Sequence, residues 1–379
     1  MYRIAFKMLA GDRGKYLLLI SAISFSVLLM THQCSVFFGL MRWNTAIIRN
    51  MQIPLWIVDP LVEQPDEILP LLHTDLGRVR SIEGVKWAVP ASLSIQLARL
   101  DNRAFKSIQL IGLDTATLIG APSRMIAGDV EDLWQDGAVI IDEVGLRHFS
   151  AGKERPVGIG DRFDINDHEV RVVGICKVEP SFFGLPYVYT TFDRALQITP
   201  PARKNLAFVL AAPDAETDAS HVARTIENQT GLKAFTADEF SASTIRWLFK
   251  NTGMPISFGI TVMMGFLVGI AVSGQTFYSF ILENFKHLGA LKAMGASTSL
   301  LCKMLILQAF VVGFIGYGIG IGLTSIFGHM AIGSSDLPFF MPYEILWIPL
   351  MAVCAICLFA TGLGIYQIRK LDAAEVFRG

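Results

Sequence analysis

Hydrophobic positions fall into four long unbroken stretches, about Tyr16–Leu40, Pro255–Leu282, Leu300–Met330 and Ile345–Ile368. Between the first and second, the apolar runs are short and separated by polar and turn residues. A helix needs about 20 mostly apolar residues to cross a bilayer, and each long stretch qualifies. The pattern predicts an α-helical membrane protein with four transmembrane helices, one plus three. A large mixed α/β extracytoplasmic domain is inserted after the first helix. The expected segments are an amphipathic N-terminal piece at 1–15, spans at 16–41, 253–282, 300–331 and 345–368, and an insert at 42–252. A polar loop at 283–299, a short loop at 332–344 and a tail at 369–379 complete the chain.

Within the insert, apolar runs bounded by turn residues predict strands at Leu55–Val58, Ile108–Ile111, Ala138–Ile141, Val170–Ile175, Tyr187–Thr191 and Leu206–Leu210. Asn166-Asp167-His168 reads as a hairpin turn ahead of Val170–Ile175. Helical patterns lie at Glu67–Leu76, with Asp66 as its N-cap, and at Ala219–Thr230. Asp238–Asn251 reads as a helix running into the second span.

Composition agrees with a membrane chain. Hydrophobic residues make up 52% and charged residues 17%, against about 25% charged in ordinary soluble domains. Mean hydropathy is +0.47. The net charge of −1 gives no reason to expect a nucleic-acid partner. Outside the insert, the basic residues Arg3, Lys7, Arg13, Lys15, Lys286, Lys292, Lys303, Arg369, Lys370 and Arg378 all fall on segments that four spans place on one side. The positive-inside rule assigns that side, with both termini and the 283–299 loop, to the cytoplasm. Apolar residues continue through Val36–Met41 without a small-residue cleavage site, so the first stretch is expected to be a retained span.

Candidate chemistry is sparse. Four of the five cysteines fall inside spans, leaving Cys176 alone in the insert, which excludes a disulfide framework there. Cys354-x-x-Cys357 lies in mid-span and reads as packing. His73, His148, His168 and His221 have no metal-ligand spacing. Asp161, Asp164, Asp167 and Glu169 lack an EF-hand's spacing and read as a solvated hairpin face. No GxSxG and no P-loop occurs, so the chain is expected to be non-catalytic and any ATP-driven role needs a separate subunit. The spans contain no mid-membrane carboxylate, which argues against a proton-coupled transporter.

Two features remain. Gly265-x-x-x-Gly269 and the pair Gly316 and Gly320 allow close helix approach, either as packing within one subunit or as a dimer face. The loop Glu283–Ser297 is too polar to span and too patterned for a linker. It reads as a short amphipathic helix with Leu288, Leu291 and Met294 on one side and Gly295 as C-cap. Such a helix, rigidly joined to two spans, suits the transfer of a push from a cytoplasmic partner. The expected coupling residues are Glu283, Lys286, His287, Leu288, Gly289, Leu291, Lys292, Met294 and Gly295.

His287-Leu-Gly-Ala-Leu-Lys-Ala-Met-Gly-Ala296 resembles the E-I-G-x-L-K-A-x-G-A motif of MacB/FtsX-type ABC transporter permeases. Lys370–Arg378 resembles that family's terminal D-P-x-E-x-x-R segment. Glu83–Pro90 and Gly160–Ile175 resemble its periplasmic core domain. The stretch from Met264 to Gly295 is most similar to the DevC-like branch. The resemblance covers essentially the whole chain, with one departure: His287 stands where the family usually has Glu, and Glu283 is the nearest replacement.

The resemblance implies a homodimer of permease subunits with two copies of a cytoplasmic ABC ATPase. No cofactor is bound directly, and ATP and Mg are used by the partner. ATP-driven closure is relayed to the periplasmic domains by mechanotransmission, with a membrane fusion protein and a TolC-like outer-membrane channel, in efflux or secretion. The alternatives within the fold are a lipoprotein-releasing permease and an FtsX-like permease that activates a cell-wall hydrolase.

Overall fold

The computed structural model describes residues 13–101, 103–153, 155–200, 206–334 and 337–369. The segment up to residue 12 and the Lys370–Arg378 motif lie outside the described residues. In chain order the helices are α1 (Arg13–Asn44), α2 (Ala46–Met51), α3 (His73–Arg80), α4 (Glu143–Ser150), α5 (Phe192–Ile198), α6 (Ala219–Thr230), α7 (Ala237–Asn251), α8 (Met254–Glu283), α9 (Phe285–Ala293), α10 (Thr298–Ser334) and α11 (Trp347–Arg369). The strands are β1 (Leu55–Val58), β2 (Val85–Arg99), β3 (Phe105–Leu113), β4 (Met125–Ala127), β5 (Ala138–Asp142), β6 (Arg162–Ile165), β7 (His168–Cys176), β8 (Tyr187–Thr191), β9 (Phe208–Pro213) and β10 (Lys233–Thr236). The chain divides into a helical unit, Met1–Leu40 with Gly253–Gly379, and a second unit, Met41–Thr252.

Among the described residues of the helical unit, four helices are long and apolar enough to cross a membrane: Tyr16–Asn44, Met254–Glu283, Thr298–Ala331 and Tyr343–Gly362. Their shared core is built from Ile20, Ile23 and Val27 of α1, Phe277 and Ile281 of α8, Leu305 and Val312 of α10, and Val353 and Cys357 of α11. The chain after α10 returns to α1. The Phe340 N–H donates to the Ser35 carbonyl at 3.0 Å, and a Cβ on Gly39 would lie 2.3 Å from the Pro338 carbonyl oxygen.

The second unit is a ten-stranded sheet, ordered β10-β1-β9-β2-β3-β8-β5-β7-β4, with β6 bridging β2 and β7. Alternate residues feed opposite faces, as the period of two demands. Trp56, Val89, Ile111, Ile140, Phe208 and Phe240 fill one face. Leu55, Ile57, Val209 and Ala211, with Val222 and Ile226 of α6, fill part of the other. Val139, Ile141, Val172 and Val188 fill its remainder. A sheet covered on both sides explains why β1, β5 and β8 are buried at every position.

Five of the six predicted strands lie within observed ones, and the sixth, Leu206–Leu210, overlaps β9, which starts two residues later at Phe208; β2, β4, β6 and β10 have no predicted counterpart. The longest, β2, is broken in sequence by Lys86, Pro90 and Gln96. It changes partner along its length, pairing with β9 over Val85–Ala91 and with β3 over Ser92–Arg99. Pro90 lies where β3 does not yet pair, so its missing N–H costs no ladder bond on that side. The hairpin turn is as expected: Asn166 (φ 49°) and Asp167 (φ 65°) join β6 to β7 with Ile165 opposite His168, a two-residue type I′ geometry.

The helix expected at Glu67–Leu76 is not formed. The helix begins at His73 instead, because Pro70 removes a donor from the expected window and the Leu71 N–H bonds the Leu206 carbonyl at 2.9 Å. Asp66 is not a cap; it accepts from Gln109 Nε2 at 3.0 Å. Asp75 closes the real N-terminus through the Leu72 N–H at 3.0 Å. Nor does α7 continue into α8: Thr252 is extended (φ −124°, ψ 151°), and Pro255 sits in the first turn of the next helix.

Candidate functional site

The loop joining the second and third spans is built by its two ends. Helix α8 stops at Asn284, whose side chain donates back to the Phe280 carbonyl at 2.9 Å. Helix α9 then runs nine residues and ends in a Schellman motif. The Ala296 N–H bonds the Leu291 carbonyl and the Gly295 N–H bonds the Lys292 carbonyl, both at 3.0 Å. Gly295 carries φ +93°, the left-handed conformation that glycine adopts without strain. Ser297 caps the third span, its Oγ accepting from the Leu300 N–H at 3.3 Å.

The expected residues separate by exposure. Leu288 is 2% exposed and packs among the core residues of the four-helix unit, with Leu291 half-buried beside it. Gly289 is buried. His287 and Glu283 are exposed, and Lys292 is intermediate; Lys286 lies on α9, its side chain outside the described residues. Met294 does not share the face of Leu288 and Leu291: it is 76% exposed. The helix ends at Ala293, so Met294 has left the helical register that the periodicity assumed. Glu283 and His287 also lie on different helices, on either side of Asn284.

The four packing glycines converge on α1. A Cβ on Gly265 would meet Met30 Cγ at 3.3 Å and one on Gly269 would meet Ser26 Oγ at 2.6 Å. A Cβ on Gly316 would meet Ile23 Cγ2 at 2.7 Å, and one on Gly320 the Ser24 carbonyl oxygen at 2.7 Å. Ser26 Oγ donates to the Gly265 carbonyl at 3.0 Å across the same approach. These glycines therefore pack against α1 within the subunit.

The acidic cluster of the insert is paired with arginines: Asp161 with Arg155, Asp164 with Arg99 and Glu169 with Arg162. Among the described residues, no group of His, Cys, Asp and Glu is arranged to hold a metal. Sequence reading missed Asp142. It is 1% exposed at the end of β5, and its Oδ1 accepts from the Gly145 N–H at 2.7 Å as the cap of α4. Burial pushes its carboxyl up to about 7, against the opposing pull of backbone donors and Arg147. Nothing in the local pattern Ala138–Asp142 marks that carboxylate as buried.

Residues 241–373 match the family described as FtsX-like permease C-terminal. Residues 16–229, more than half of the chain, match the MacB-like periplasmic core domain. A protein of Staphylococcus epidermidis named as hemin transport system permease HrtB is 25% identical over 154 residues. That alignment covers 41% of this chain and 42% of the relative, so the chain spans under half the length of the curated relative it matches. Two solved structures are similar. One is the periplasmic region of MacB from Actinobacillus actinomycetemcomitans, with 16% identity, TM-score 0.39, and coverage of 54% of this chain and 98% of that one. The other is the extracellular domain of the noncanonic ABC-type transporter YknZ from Gram-positive bacteria, with 18% identity, TM-score 0.34, and coverage of 48% and 98%. Since the core-domain match begins in the first span and the permease match takes in the last three, the chain belongs to the family of ABC transporter permeases of the MacB/FtsX type.

Proposed function

We propose that this chain is the permease subunit that receives ATP-driven movement from a separate cytoplasmic ATPase at α9 and delivers it to its extracytoplasmic domain. The observation that carries this reading is the build of α9. It is a capped helix wedged by Leu288 into the core of the four-helix unit, while His287 and Met294 remain exposed to a partner. A helix held this way cannot absorb a push locally and passes it to the helices it packs against.

In this reading two copies of the chain pair with two ATPase subunits, which bind ATP and Mg. Both termini and α9 face the cytoplasm of a bacterial inner membrane, and the sheet unit faces the periplasm. The absence of a mid-span carboxylate in the sequence supports mechanotransmission over passage through the spans. A fusion protein and a TolC-like duct, as in the DevC-like branch, complete a tripartite exporter. Hemin, from the name of the Staphylococcus relative, is the first cargo to test.

The test is a pair of substitutions with ATPase activity and assembly read separately. A valine at Gly295 must leave the left-handed region or bear strain of about 1 kcal/mol or more, tilting α9 at its exit. Gly289→Leu would force α9 off its seat. Both variants are expected to co-purify with the ATPase while permease-stimulated hydrolysis falls to background; wild-type hydrolysis in both would refute the coupling role. Excising residues 42–250 is expected to leave ATPase binding intact and stop export, and continued export would mean that cargo crosses through the spans.

A further inference from the structure

Glu179 lies in the connection between β7 and β8, next to Pro180, which biases its backbone toward an extended conformation. Its carboxylate is gripped by two arginines more than a hundred positions earlier. Arg42 donates to Oε1 from Nε at 3.0 Å and from Nη2. Arg49 donates to Oε2 from Nε at 2.9 Å and from Nη2 at 2.6 Å. The backbone of Glu179 is held as well. Its N–H donates to Asn50 Oδ1 at 3.0 Å, and its carbonyl accepts from Asn50 Nδ2 at 2.9 Å.

Arg42 belongs to the last turn of α1, the first-span helix, and Arg49 and Asn50 to α2. Arg49 also ties the two helices together, donating from Nη1 to Thr45 Oγ1 at 2.6 Å and from Nη2 to the Arg42 carbonyl. The residues after Glu179 lead into β8, which sits inside the sheet between β3 and β5. Burial would raise the Glu179 carboxyl, but Arg42 and Arg49 outweigh it and hold it below the usual range. The clamp is therefore charged at neutral pH.

Hydrophobic packing already seats α2, through Ile47, Ile48 and Met51. Apolar contacts are non-directional and let a helix slide or turn about its axis. A carboxylate shared by two guanidinium groups fixes direction and register. At the end of α1 it is Arg42 that makes such a joint.

We propose that Glu179 is a positioning residue that locks the end of the first span to the central strands, so that displacement of α1 is delivered to the sheet rather than lost at its junction. This inference rests on the mechanotransmission reading above. The test uses full-length permease with its native ATPase in lipid nanodiscs, with and without ATP and vanadate. Hydrogen exchange over residues 177–191 and ATP hydrolysis are measured for the wild type, Glu179→Gln and the charge-exchanged Arg42→Glu/Glu179→Arg.

The expected result is a nucleotide-dependent change in wild-type exchange that is lost in Glu179→Gln and recovered in the exchanged pair, with hydrolysis retained in all three. The same change persisting in Glu179→Gln overturns the clamp and leaves the mechanotransmission reading standing. No change in the wild type overturns both. Loss of protection throughout β2 and β9 in Glu179→Gln would make the residue a folding determinant and also overturn the proposal.

Discussion

Gly320→Leu is expected to abolish the folded helical unit, with the yield of monodisperse full-length protein in detergent falling to near zero. A Cβ at this position would lie 2.7 Å from the Ser24 carbonyl oxygen and 2.7 Å from Val27 Cβ. The first obstacle is backbone, so no rotamer change relieves it, and α1 and α10 must separate. Overpacking of this kind costs about 3 kcal/mol, and separation also strips the close contacts that hold helices together in lipid. Gly318 and Gly322 lie on the same helix with nothing within 4 Å of an added Cβ. Leucine at either should leave the melting temperature of the isolated chain unchanged. A Gly320→Leu protein that melts with the wild type would show that α1 does not approach α10 as described. Loss of a dimer in Gly322→Leu, with normal melting, would place the partner copy on that open face.

The second large effect concerns Asp142. Burial raises its folded carboxyl to about 7 from the ordinary value of 3.8. The folded state therefore holds this proton more tightly than the unfolded chain. The associated stability is fully present below about pH 4 and is lost as pH rises toward 7. A displacement of this size corresponds to a few kcal/mol, on the order of 1.4 per unit. Unfolding of the sheet unit within the full-length protein, followed by near-ultraviolet circular dichroism, should shift to lower temperature between pH 4 and pH 7. In Asp142→Asn this dependence should shrink, because Asn can still accept from the Gly145 N–H but cannot ionise, while Asp66, also raised by burial, keeps a part of the same sign. An unchanged pH profile in Asp142→Asn would assign the dependence to another group. Glu179 works with opposite sign: its depressed carboxyl adds stability at neutral pH that is lost on acidification, so a Glu179→Gln background removes that opposing contribution.

Much of this architecture is legible in the chain because it rests on local patterns. Twenty-odd consecutive apolar residues, a two-residue Asn-Asp turn and a glycine after an amphipathic run each carry their geometry with them. The start of α3 was misread because Pro70 and the pairing of Leu71 with Leu206 outweigh an apparent helical period. Strand β2 is illegible because Lys86, Pro90 and Gln96 interrupt its apolar run and its two halves pair with two different neighbours, which no window of the sequence contains. Met294 was put on the wrong side because a periodic count does not know where the helix stops.

The sequence by itself determined that there are four long apolar helices, that the mixed α/β insert follows the first, and which glycines are able to bring helices close. Those follow from hydropathy, turn chemistry and backbone freedom, which are properties of neighbouring residues. Only the tertiary structure decided that the four glycines all receive α1, that Asp142 is buried, and that Arg42, Arg49 and Glu179 meet across 137 and 130 positions of chain. Close approach, desolvation and ion pairing depend on distance in space, and the chain order alone does not specify which residues share it.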